Sequence, residues 1–139
     1  DPVTADGLME IFRQILIGFT MGLVFQVASA ALVVAGQAIS GSMGLMPSAS
    51  LGSKVKLFEP IHGSYPQAAG KDIANPLGTV LSAAMMFDYA FGLTEEANLI
   101  SDVVNLSLAE GIVTEDIAEG GKAYKTSEVG DWLAAKILG

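Results

Sequence analysis

Residues 57–76 read LFEPIHGSYPQAAGKDIANP, and this stretch decides how the chain is organised. Leu57 and Phe58 look like the end of a strand, and Gly, Pro, Ser and Asn then crowd residues 59–74 and mark a loop. Asn75 stands in an N-cap position with Pro76 at the first helical position, a strong helix start. Within the loop, Gly63 and Gly70 let the main chain approach a ligand closely. His62 offers a flat stacking surface with a polar edge, and the amides of the following helix can receive a ligand's acceptors. On the residues alone two readings stand: a nucleotide-binding loop, or a surface loop with a capping Asn and a solvated His.

Downstream of this stretch, helices alternate with short extended pieces. A helix is expected to run to about Phe91 and end at Gly92, and because Asp88 is its only charge it should be buried over most of its surface. Thr94 is expected to cap the next helix, with Glu95 and Glu96 favourably placed in its first turn. Leu99, Val103 and Leu106 form its expected inward stripe, and it should stop near Gly111. Residues 113–117 read as a short strand and residues 119–125 as a Gly-containing loop. Thr126 or Ser127 is expected to cap a last helix carrying Val129, Trp132, Leu133 and Ile137. This pattern indicates an α/β fold with too few strands for a complete sheet.

Upstream the character changes. Of the 139 residues 51% are hydrophobic, enough for a core, and the net charge is −8. Only Asp1, Asp6, Glu10 and Arg13 are charged before Lys54, so the acidity belongs to the C-terminal part and argues against nucleic acid, which needs a basic face. With no Cys there are no disulfides and no thiolate metal sites. Residues 15–39 carry no charge, and about 20 apolar residues suffice to cross a bilayer as a helix. Gly18 and Gly22 form a GxxxG pair suited to close helix packing in a membrane. Asp6 and Glu10 stand where an export signal would be basic, so a signal peptide fits poorly. The first residue is Asp rather than Met, which favours a fragment. Two domains are therefore expected: a membrane-type helical segment over residues 1–39 and an α/β segment over residues 40–139.

The string QILIGFTMGLVFQ, followed by Ala35, Gly36, Gln37 and Met43-Gly44-Leu45, resembles the flagellar biosynthetic R protein of the type III export gate, over about residues 1–45. GSMGLMPSASLG, FEPIHGS, AGKDIANP and GGKAYKTSEVGDWLA, in that order over about a hundred residues, resemble the C-terminal part of 3-isopropylmalate dehydrogenase. That resemblance implies an NAD-dependent enzyme of leucine biosynthesis that oxidises and decarboxylates a 2-hydroxy acid with Mg or Mn. It also implies a cytoplasmic homodimer, with the inner membrane as the alternative location for residues 15–39. Carried over, it makes Glu59, Pro60, His62, Gly63 and Ser64 the start of the NAD loop, with His62 along the adenosine and Asn75 at the adenine. Tyr65 and Gln67 depart from the Ala and Asp of the pattern, and the Asp normally binds the ribose. Gln67 can still hydrogen-bond there, and Gln67-Ala68 offers no charge to a 2′-phosphate, so NAD is expected over NADP.

The same resemblance exposes what is missing. Two aspartates that bind metal and substrate should precede Gly41, and the corresponding positions hold Val34 and Ala30, which cannot supply the oxygen ligands of a divalent cation. The family's substrate arginines and catalytic Tyr and Lys have no counterpart. The expectation is a chimera joined near residues 41–45, retaining the adenine dinucleotide loop and inactive by itself; a fragment of an export-gate membrane protein is the alternative.

Overall fold

In the computed structural model the described residues are 42–139, and they fall within one compact unit. The expected membrane helix over residues 15–39, the positions Ala30 and Val34, and nearly all of the export-gate resemblance lie outside them. Among the described residues no helix is long and apolar enough to cross a membrane.

A 3-10 turn at Met43–Leu45 leads into β1 (Pro47–Leu51), which pairs antiparallel with β2 (Lys56–Pro60). Pro47 faces Pro60 and Ala49 faces Phe58, so Pro47, Ala49, Phe58 and Pro60 share the face turned to the helices. A 3-10 turn at Pro66–Ala68 interrupts the loop that follows. Three helices complete the unit: α1 (Leu77–Phe91), α2 (Thr94–Glu110) and α3 (Thr126–Leu138), with a 3-10 turn at Glu115–Ile117 between the last two. Leu77, Val103, Val104, Val129 and Leu133 form the buried core, one or two from each helix, and Leu45, Leu81 and Trp132 close over it. The two strands and three helices agree with the expected incomplete sheet.

Close approach at two glycines fixes the entry to α1. A side chain on Gly78 would meet the Gly44 carbonyl oxygen at 2.7 Å, and one on Gly44 would meet Asn75 at 3.0 to 3.1 Å. The 3-10 turn at residues 43–45 therefore lies directly on the first turn of α1. Gly92 ends α1 at a φ of 67°, its amide bonded to the Asp88 carbonyl at 3.0 Å. Gly111 ends α2 at 68°, and there Ile112 donates to the Ser107 carbonyl and Gly111 to that of Leu108.

Four local expectations are corrected. Thr94 does not cap α2: the link after Gly92 is so short that Leu93 takes the cap position, and the Thr94 hydroxyl donates to Asp88 at 2.7 Å. Leu99 and Leu106 do not face inward, being 44% and 39% exposed. The buried face of α2 is Ala97, Val103, Val104 and Ser107, whose small or β-branched side chains let the neighbouring helices come close. Residues 113–117 are not a strand; Thr114 opens a turn with Glu115 and Asp116 in it, and only Val113 keeps an extended-type bond, its carbonyl accepting from Tyr124 at 2.8 Å. Neither Thr126 nor Ser127 is the cap residue of α3. Lys125 holds that position, and its amide donates to Glu128 at 2.8 Å. The expectation for α1 holds: most of its residues are buried or half-buried, and Thr79, Tyr89 and Phe91 are the exposed ones.

Candidate functional site

Asn75 organises the site. Its Oδ1 accepts the Leu77 amide at 3.0 Å, satisfying one of the free donors at the start of α1. The helix itself begins one residue later than the sequence indicates, with Pro76 in the cap position, yet the capping side chain is the expected one. The Nδ2 end of the same amide donates to Asp116 Oδ2 at 3.0 Å, which fixes which way the amide faces.

Asp116 is in turn held from several sides. Thr114, which is buried, donates its hydroxyl to Oδ1 at 2.5 Å, and the Ser42 hydroxyl reaches Oδ2 at 3.4 Å while accepting the Gly44 amide at 3.1 Å. The turn at residues 43–45, the start of α1 and the turn at residues 115–117 are thus joined through one carboxylate. Charge-assisted bonds of this kind are stronger than neutral ones.

Around Asn75 lies a cavity of about 350 Å³, lined by Gly44, His62, Gly63, Ser64, Tyr65, Ile73, Ala74, Asn75 and Asp116. His62 Nδ1 lies 3.1 Å from the Gly63 carbonyl, so that nitrogen carries the proton, and in the neutral ring Nε2 is left as an acceptor. That Nε2 is buried and meets no hydrogen-bond partner among the described residues. A buried polar atom without a partner is costly, and a ligand donor would relieve it. The wall therefore combines apolar side chains, an imidazole acceptor, a fixed amide and no Lys or Arg among its described residues, an arrangement that suits a flat, polar-edged heterocycle.

Of the residues expected here, the structure brings His62, Gly63, Ser64 and Asn75 together and leaves three outside the lining. Glu59 lies in β2 on the face turned away from the helices, its carbonyl accepting the Ser48 hydroxyl at 2.7 Å. Pro60 ends β2 and packs near Gly78. Gln67 is exposed in the turn at residues 66–68. Sequence reading missed Gly44 and Asp116. Thr followed by two acidic residues at 114–116 is a helical-turn start and was the available signal for the latter.

A larger cavity of about 620 Å³ lies on the other side of Asp116, lined by Leu45, Glu110, Glu119, Lys122 and Tyr124 among others. Lys122 sits over the Tyr124 ring, 4.2 Å from its centre. It contains no buried polar atom lacking a partner, so the smaller cavity is the better ligand site despite its size. Among the described residues no three His, Asp or Glu side chains come together in a way that could hold a metal ion. Asp116, the carboxylate in the wall of the smaller cavity, already serves Thr114 and Asn75.

The isocitrate/isopropylmalate dehydrogenase family matches residues 35–133. The 3-isopropylmalate dehydrogenase of Bacteroides fragilis is 52% identical over 103 residues, 73% of this chain and 29% of the relative, and that of Thermotoga maritima is 50% identical over 101 residues, 72% and 28%. The chain therefore spans less than a third of the length of these relatives. Among solved structures, the β-decarboxylating dehydrogenase of Thermococcus kodakarensis superposes with a TM-score of 0.70 at 35% identity, covering 88% of this chain and 39% of the other. Isocitrate dehydrogenase of Methylococcus capsulatus superposes at 0.66 and 31% identity, covering 71% and 29%. With the match spanning the loop and its cavity, α1, α2 and the first part of α3, the chain belongs to the isocitrate/isopropylmalate dehydrogenase family.

Proposed function

We propose that this chain carries the adenine end of an NAD site of the 3-isopropylmalate dehydrogenase type and has no dehydrogenase activity by itself. The unpartnered, buried His62 Nε2 carries the reading, because it needs a donor such as an adenine amine or a ribose hydroxyl. His62, Gly63 and Ser64 would border the adenosine, Asn75 would contact the adenine, and Asp116 would hold Asn75 in the correct orientation. Glu59 and Pro60 serve as the strand end that launches the loop, and Gln67, being exposed, is free to reach a ribose. NAD is favoured over NADP because Asp116 stands in the wall with no described Lys or Arg to offset a 2′-phosphate. NAD supplies hydride transfer when bound; this chain's own residues only bind and orient it. The test is to titrate NAD and NADP against the full chain while following amide resonances. Shifts confined to the cavity wall at residues 44, 62–65, 73–75 and 116 and to Gln67, larger for NAD, support the reading, and shifts confined to other residues refute it.

A second reading concerns the N-terminal third, where the uncharged run over residues 15–39 favours a separate membrane-type segment joined to the dehydrogenase part. Partition of the chain into detergent or vesicles, abolished by removing residues 1–39, is the expected result. A monodisperse monomer without detergent contradicts it.

A further inference from the structure

The last helix reaches back to the far end of the loop. Asp72 has a φ of 57°, in the left-handed region that Asp tolerates better than most side chains. Its Oδ1 accepts the Ser127 amide at 2.9 Å and its Oδ2 accepts the Ser127 hydroxyl at 2.6 Å. The Asp72 carbonyl accepts the Thr126 amide at 3.0 Å, and the Ala74 carbonyl accepts the Thr126 hydroxyl at 2.5 Å. Asp72 thus caps α3 from outside that helix, and the same bonds anchor the chain at residues 72 and 74.

Between and beside those anchors, Ile73 and Ala74 line the nucleotide cavity, with Asn75 next in sequence. Asp72 itself is absent from the lining. We propose that Asp72 is a positioning residue for nucleotide binding, which fixes the wall formed by residues 73–75 by clasping the start of α3; this rests on the nucleotide reading above. Residues 69–76 lie outside helix and strand, so without the clasp a ligand must order this wall on binding, and that ordering entropy is lost from its affinity.

A helix cap that only stabilises the fold would behave differently, and a neighbouring bond provides the comparison. Glu128 accepts the Lys125 amide at 2.8 Å at the same helix start but forms no hydrogen bond with residues 72–75. The experiment measures binding of ADP-ribose to the full chain and to three variants under conditions where all are folded. Asp72→Gly suits the positive φ and removes only the carboxylate. Asp72→Asn keeps one acceptor and tolerates the same backbone. Asp72→Gly should weaken ADP-ribose about ten-fold, Asp72→Asn should recover most of the loss, and Glu128→Ala should stay within about two-fold of the parent. Equal losses in Asp72→Gly and Glu128→Ala would reduce the clasp to a stabilising cap and overturn the proposal. If the parent chain binds no ADP-ribose at millimolar concentration, the nucleotide reading itself falls. Hydrogen exchange at the Leu77 amide, which Asn75 holds, then decides the clasp: faster exchange in Asp72→Gly alone supports it, and unchanged exchange refutes it.

Discussion

Ser127 donates to Asp72 from its hydroxyl and its amide, and these bonds hold the Asp72 carboxyl below its ordinary value of 3.8 against the opposing effect of burial, with Lys125 adding a lesser attraction. A carboxyl whose value is lowered by folding stabilises the fold fully above the unfolded value and loses that contribution as pH falls through the folded one. Urea midpoints of the parent and Asp72→Asn should therefore differ at pH 7 and converge as pH falls below the ordinary value of 3.8 and through the lowered one, as protonation makes the two side chains alike. A gap that persists at low pH would show that charge is not what the clasp uses. At the proposed nucleotide cavity, His62→Phe keeps a flat ring but removes Nε2, and ADP-ribose affinity should drop about three- to ten-fold, measured by calorimetry. That His62, Gly63 and Asn75 stand on one loop and helix start was legible because turn and cap chemistry is local, and Ser64 was added by the resemblance. Asp116 was not, since its bond to Asn75 joins residues far apart in sequence and only folding creates it.

Helix stops read well from sequence, as did the inward face of α3 with Val129, Trp132, Leu133 and Ile137, whereas helix starts were off by a residue and the face of α2 was misread. Gly92 and Gly111 both adopt the left-handed conformation that a stop requires, a property of the residue alone. Which side of α2 turns inward depends on how closely α1 and α3 approach, and the choice of Ala97, Val104 and Ser107 over Leu99 and Leu106 follows from that packing. Two glycines within helices allow a test of the packing. Gly130 in α3 has open space around it, so Gly130→Ala should stabilise the chain by up to about 1 kcal/mol through helix propensity. Gly78→Ala gains the same propensity but drives a methyl to 2.7 Å from the Gly44 carbonyl oxygen, a main-chain atom that cannot swing aside. Overpacking of about 1–3 kcal/mol should outweigh the gain, giving net destabilisation in a thermal or urea melt. A stabilised Gly78→Ala would mean that the turn at residues 43–45 does not rest on α1 as described.

At the scale of the whole molecule, family membership was legible because four separated motifs fall in order, and an incomplete sheet with helices followed from it, while the strand at residues 47–51 was not read. What the chain does with that fold depends on what it lacks. It spans 29% of the Bacteroides fragilis relative, and the positions that the resemblance assigns to metal-binding aspartates hold Val34 and Ala30. Carbon side chains offer a divalent cation none of the oxygens it needs. The electrostatic stabilisation that such an ion gives to oxidation and decarboxylation is typically several kcal/mol, more than a binding loop can replace. The purified chain should therefore produce no NADH from 3-isopropylmalate with NAD and either Mg or Mn, followed by absorbance, while still showing the NAD-induced shifts at His62 and Asn75. Metal-dependent turnover that disappears in His62→Ala would show that the reading of the residues before Gly41 is wrong and that ligands lie elsewhere in the chain.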